Sequence, residues 1–168
     1  ITLNAKINGG QTVGGLLGTC EAGTTLEVEK PLTVTGNVTA NKGQGSAGGL
    51  LGKVSENITI KLDSYTTENA TIGTLYQNKG YAGGFIGDIT SVFTLDIRDI
   101  TINGYIRYAT GAGGFAGRIE GVNFCVPAMT VSATIYSSNH VGGVVGYVNN
   151  SKVMVKNPTV KGSLTGET

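Results

Sequence analysis

One six-residue pattern returns five times along this chain: Val13-Gly-Gly-Leu-Leu-Gly18, Ala47-Gly-Gly-Leu-Leu-Gly52, Ala82-Gly-Gly-Phe-Ile-Gly87, Ala112-Gly-Gly-Phe-Ala-Gly117 and Val141-Gly-Gly-Val-Val-Gly146. Successive copies start 29 to 35 residues apart. A unit of that length cannot bury its apolar side alone, so copies must stack on one another.

Two further signals recur in phase with it. Before the glycine pattern comes a strand-like run with a small residue in the middle: Leu3/Ala5/Ile7, Val34/Gly36/Val38, Ile102/Gly104/Ile106, Val131/Ala133/Ile135 and Val160/Gly162/Leu164. The copy at Ile72 to Leu75 reads as one residue short. After the glycine pattern comes an alternating segment: Leu26/Val28, Ile58/Ile60/Leu62, Phe93/Leu95/Ile97, Phe124/Val126 and Val153/Val155. Three short strands per repeat, each stacked about 4.8 Å from its counterpart, predict an all-β parallel β-helix of triangular section with about five coils. Crossovers between parallel strands make it right-handed. Residues 1–168 then form a single solenoid domain, expected to be part of a longer array because both ends fall in the same phase of the repeat.

Counting from each glycine pair tests the register. One position collects Cys20, Val54, Ile89, Ile119 and Val148, an inward apolar file. Its neighbour collects Thr19, Lys53, Asp88, Arg118 and Tyr147, expected outside, where opposite charges in adjacent coils attract by about 0 to 1 kcal/mol per exposed pair. The column Leu17, Leu51, Ile86, Ala116 and Val145 resists alternation. Either a bend tucks it into a corner, or it is a half-exposed stripe covered by a partner. The glycine pairs themselves imply a corner needing positive φ or close backbone approach.

Composition excludes several classes. Among 168 residues are 28 Gly, 3 Pro and no Trp, which disfavours helices. A net charge of +1, with no Lys/Arg cluster, gives no reason to expect nucleic acid or an anionic membrane as partner. No apolar run reaches the roughly 18 residues of a spanning helix, so membrane insertion is not expected.

The Gly-Leu-Leu-Gly, Gly-Phe-Ile-Gly and Gly-Val-Val-Gly cores resemble the GLUG motif, a glycine-rich repeat of bacterial cell-surface proteins, among them adhesins and immunoglobulin A peptidases. The resemblance covers all five repeats, with Phe85, Phe115 and Val144 where the family has Leu. It implies an extracellular, surface-attached or secreted setting and a role in display or binding. It carries over no catalytic residue.

Motifs for chemistry are sparse. Gly43-Gln-Gly45-Ser-Ala-Gly48 has dinucleotide-binding spacing, but a strand follows where a helix N-terminus must receive the phosphates. No Asp follows a glycine pair as a calcium-binding repeat requires. His140 is the only histidine, too few for a multi-histidine metal site. Asp63, Asp88, Asp96 and Asp99 fall at different offsets from the glycine pattern, so most lie at different places around the coil; Asp63 and Asp96, within one coil of each other, are the one pair that could be neighbours as glycoside hydrolysis requires. Cys20 and Cys125 lie three coils apart, roughly 14 Å, beyond the reach of a disulfide, and are expected as buried free thiols. No cofactor, no metal and no enzymatic activity are expected.

Binding is expected on the loops that precede each glycine pair: Asn8 to Thr12, Asn41 to Ser46, Tyr76 to Tyr81, Arg107 to Gly111 and Tyr136 to His140. They vary in length and carry Tyr76, Tyr81, Arg107, Tyr108, Tyr136 and His140, side chains suited to sugars or a protein surface. The leading function is a structural or adhesive spacer. The alternatives are a carbohydrate-binding module using that edge, and a non-catalytic part of a surface protease or polysaccharide-processing enzyme. Expected partners are a host glycan or host surface protein, neighbouring domains of the same chain, and a second copy meeting end to end. An ice-binding face would need an aligned threonine column, and Thr33, Thr59, Thr101 and Thr130 do not align by offset.

Overall fold

The computed structural model describes residues 1–75, 79–107 and 109–166. The chain is a parallel β-solenoid of about five turns, with no helix among the described residues. Each glycine pattern begins in one strand and, in all copies but the first, leads into a second. The incoming arms, Thr12–Gly14, Ser46–Gly48, Tyr81–Gly83, Gly111–Gly113 and His140–Gly142, stack as one parallel sheet. The outgoing arms, Leu51–Val54, Ile86–Ile89, Ala116–Glu120 and Val145–Asn149, stack as a second. Most of the rest of the coil joins a ten-stranded sheet, while Phe124–Val126 and Val153–Val155 pair with each other as a separate two-stranded sheet.

That large sheet departs from three short strands per coil. In two coils the alternating segment and the small-centred run fuse into single strands, Thr59–Thr74 and Thr94–Arg107. Elsewhere they are separate, as in Thr25–Val28, Leu32–Val34 and Asn37–Ala40. Proline explains the difference. Pro31, Pro127 and Pro158 all fall at this corner, and a residue without an N–H interrupts the ladder. The two coils without proline run straight through.

The copy that reads one residue short is in fact one residue long. Its equivalent positions are Thr67, Ala70 and Ile72, paired with Ile102, Gly104 and Ile106, with a register shift between them. The same step separates it from Val34 and Asn37 in the coil on its other side. Asn69 takes positive φ (52°) in the bulge, a conformation Asn tolerates. Thr67 hides the pattern because it stands at an apolar position. Fully buried, its hydroxyl donates to the Asn103 carbonyl at 2.7 Å and accepts the Asn103 N–H at 2.9 Å.

The inner file is in place: Ile89 pairs with both Val54 and Ile119, and Ile119 with Val148. Val54, Ile89 and Ile119 are buried, while Cys20 is half-buried and Val148 is 43% exposed, each having a coil on one side only. Leu51, Ile86 and Ala116 are wholly buried, which settles the column in favour of a corner. The chain bends so sharply that the Leu50 and Leu51 N–H groups both donate to the Phe85 carbonyl, at 2.9 and 3.2 Å, and consecutive side chains enter the core. Phe85 and Phe115, in place of Leu, stack at 5.3 Å, and Phe115 continues to Phe124 at 5.8 Å.

Close approach, not positive φ, is what the glycine pairs supply, since none of the motif glycines lies in the left-handed region. A Cβ on Gly49 would stand 2.1 Å from the Gly84 carbonyl oxygen and 2.2 Å from the Tyr65 hydroxyl. That hydroxyl donates to the same carbonyl at 3.0 Å.

Threonines do align, contrary to the offset count. Thr2, Thr33, Thr66, Thr101, Thr130 and Thr159 are successive partners in one file of the large sheet. Thr59 belongs to a different one, with Thr25 and Thr94. The count from the glycines misses this because the bulge and the variable loops lie between. The flanking positions are mixed, with Ser64 opposite Asp99 and Asn103 opposite Ser132, so the surface lacks the uniform second column of an ice-matching plane.

Candidate functional site

The arms fold back upon each other at the glycine corner. A Cβ on Gly48 would meet the Leu51 carbonyl oxygen at 1.8 Å, and one on Gly52 the Val13 nitrogen at 2.4 Å, so bare backbone packs against bare backbone. The outer faces of the two arms therefore turn toward each other. They enclose a groove of about 880 Å³ along the solenoid, lined by Gln11, Thr12, Gln44, Ser46, Lys53, Lys79, Tyr81, Asp88, Thr110 and Arg118 together with glycine backbone.

Each wall is a vertical file. On the incoming wall Thr12 pairs with Ser46, Ser46 with Tyr81, Tyr81 with Gly111, and Gly111 with His140. On the outgoing wall run Lys53, Asp88, Arg118 and Tyr147. Groups meet across the gap: the Arg118 guanidinium lies 4.3 Å from the centre of the Tyr81 ring, and His140 stacks on Tyr147 at 4.7 Å.

Asp88 is not the exposed partner that alternation predicts. It is 2% exposed, on the groove floor. Arg118 grips it with two hydrogen bonds of 2.7 and 2.8 Å, and Lys53 approaches to 3.6 Å from the coil on the other side. Arg118 also bridges Glu120 at 2.6 Å. The hydrogen bond to Asp88 pushes the Arg118 pKa further up, against the opposing effect of burial, so its charge is permanent. A floor carboxylate held by cations from both neighbouring coils is costly to break, since removing one partner leaves a charge buried without compensation.

The loop residues singled out in the sequence separate. Tyr81 and His140 stand on the incoming wall of the groove. Arg107 ends a strand of the large sheet, beside a shallow depression with Asn37, Thr71 and Thr74. Tyr136 is half-buried in the same sheet, opposite Thr165. Tyr76 and Tyr108 lie outside the described residues. The loops do stack: Ser46 donates to Gln11, Tyr81 to Gly45, Thr110 to Gly80 and His140 to Thr110, all through backbone.

Comparisons with protein-family models, curated proteins and solved structures returned no match. Among the described residues no three His, Cys, Asp or Glu side chains gather as a metal would require. Asp63 is paired with Arg98 at 2.9 Å, and it shares a shallow mixed-charge depression with Asp96, Glu27 and Lys61. Both cysteines are free thiols, half-buried rather than buried, and burial pushes the Cys20 thiol pKa up.

What the sequence reading missed is Lys53, Lys79, Asp88, Arg118 and Tyr147 as one site with Tyr81. The signal was the third glycine of each pattern, Gly52, Gly87, Gly117 and Gly146, recurring inside a strand where nothing about turning explains it.

Proposed function

We propose that this chain is a non-catalytic structural and adhesive module of a bacterial surface or secreted protein, a stiff rod segment that carries attachment groups at a fixed spacing. One observation supports it above others: the files on both arms of the glycine corner keep their partners from coil to coil, through inner and outer positions alike. Such a body transmits position along its axis, about 24 Å over five coils, with little bending. The resemblance to the GLUG repeat favours the same role and an extracellular setting. Exposed Val148, Met154, Val155, Val160 and Leu164 on the last coil favour a covering neighbour there, in the form of further repeats or an adjoining domain of the same chain.

Fluorophores placed in the first and last coils, at Thr25 and Lys156, test the proposal by single-molecule energy transfer. A narrow distance distribution that persists in mild denaturant is expected. A broad distribution like that of a flexible linker would overturn it.

A second reading, carbohydrate binding, is favoured by the groove, whose walls combine hydroxyls, amides, aromatic rings and cations.

A further inference from the structure

We propose that the groove between the glycine arms binds an extended acidic polysaccharide, one whose sugar rings carry carboxylates, with Lys53 and Lys79 as the residues that take the acid groups. This rests on the attachment role above and names its ligand.

Charge comes first. The lining holds three cations, Lys53, Lys79 and Arg118, against one anion, Asp88, and Glu120 at the edge takes a further contact from Arg118, so a net charge of +1 remains. Asp88 is sealed in the floor, and Arg118 satisfies it with both arms of its guanidinium. Lys79 is exposed, and Lys53, in a long ion pair of 3.6 Å with a carboxylate that Arg118 holds by two shorter bonds, keeps a side chain 32% exposed to the groove. The surplus is positive in a concave site, where low-dielectric walls strengthen its field.

Shape and hydrogen bonding then select among anions. The walls advance at the coil spacing of about 4.8 Å, so polar side chains from successive coils line the groove along its length, as an extended ligand requires. Thr12, Ser46, Thr110, Gln11 and Gln44 offer hydroxyls and amides that both donate and accept, the complement of a ring rich in hydroxyls. Tyr81 adds a half-exposed ring beside them. An acidic peptide would find less. Between the first and last coils the wall strands already pair on either side within their sheets, leaving no edge along the groove for a peptide backbone to extend, and the lining offers no apolar pocket for a side chain.

Decamers of polygalacturonate, and the same decamers fully methyl-esterified, provide the probe by calorimetry on the whole chain. The parent is expected to bind the acid form at least tenfold more tightly than the ester, with affinity falling as salt rises. The double variant Lys53→Gln/Lys79→Gln should lose at least tenfold, and Lys79→Gln alone, an exposed position, should lose at least threefold while melting as the parent does. Tyr81→Ala should weaken both the acid and the ester. Equal binding of acid and ester, an unaffected double variant, or equal affinity for a glutamate decamer would each overturn the proposal. A chain that keeps its narrow end-to-end distance yet binds no decamer loses the ligand assignment alone, leaving the rod intact.

Discussion

Gly49 and Asp88 show how single positions control a repeated fold. At Gly49 the backbone of the next coil and the Tyr65 hydroxyl occupy the space of a Cβ. Gly49→Ala is therefore expected to lower stability by about 2 kcal/mol or more, read from the urea midpoint, because a carbonyl rather than a flexible side chain must yield. Asp88→Ala should cost about 3 kcal/mol by leaving the Arg118 and Lys53 charges without their shared partner, although alternation alone would rate it as a surface change. Tyr65 supplies a pH test. Complete burial raises its pKa well above the usual value near 10, so the folded chain keeps a proton that the unfolded chain releases. Stability is intact below about pH 10 and falls as pH rises toward the folded value. An absorbance titration near 295 nm should show one tyrosine ionising late, together with unfolding, and a Tyr65→Phe variant should lack that late step.

Between residue and molecule, the elements show where sequence is enough and where it is not. Glycine offsets placed Val54, Ile89 and Ile119 in one inner file, and Lys53, Asp88 and Arg118 in the next, because no insertion separates the glycines from the outgoing arm. Across the large sheet the same counting failed: a bulge at Asn69 and loops of unequal length shift the frame, hiding both the Thr67 copy and the threonine file. The groove was illegible for another reason. Alternation tells which side chains leave the interior, yet it cannot tell that two outer faces bend toward each other. The bulge is itself testable. Deleting Asn69 gives this strand the same count as the strands on both sides, so the variant should melt at or above the parent temperature. A fall of more than about 4 °C, on the order of 1 kcal/mol or more for a chain this size, would show that the extra residue is required.

At the scale of the molecule, successive coils are joined through parallel ladders, and strand pairing runs from each coil to the next. Leu75, Val92 and Tyr105 are exposed on middle coils, but most of the exposed apolar side chains lie where that succession stops: Ile1 on the first coil, and Val148, Met154, Val155, Val160 and Leu164 on the last. Extending the array with another copy of the repeat should therefore raise the melting temperature, since each added interface converts a half-covered coil into an interior one.

The direction of those ladders also decides how the protein answers to load. Backbone hydrogen bonds that join neighbouring turns point along the long axis, so tension applied at the two ends opens them one row after another instead of shearing many at once. Under a pulling tip the chain would spool out turn by turn, each release adding on the order of 100 Å for some thirty residues. A solenoid held this way yields length row by row before the last coil opens.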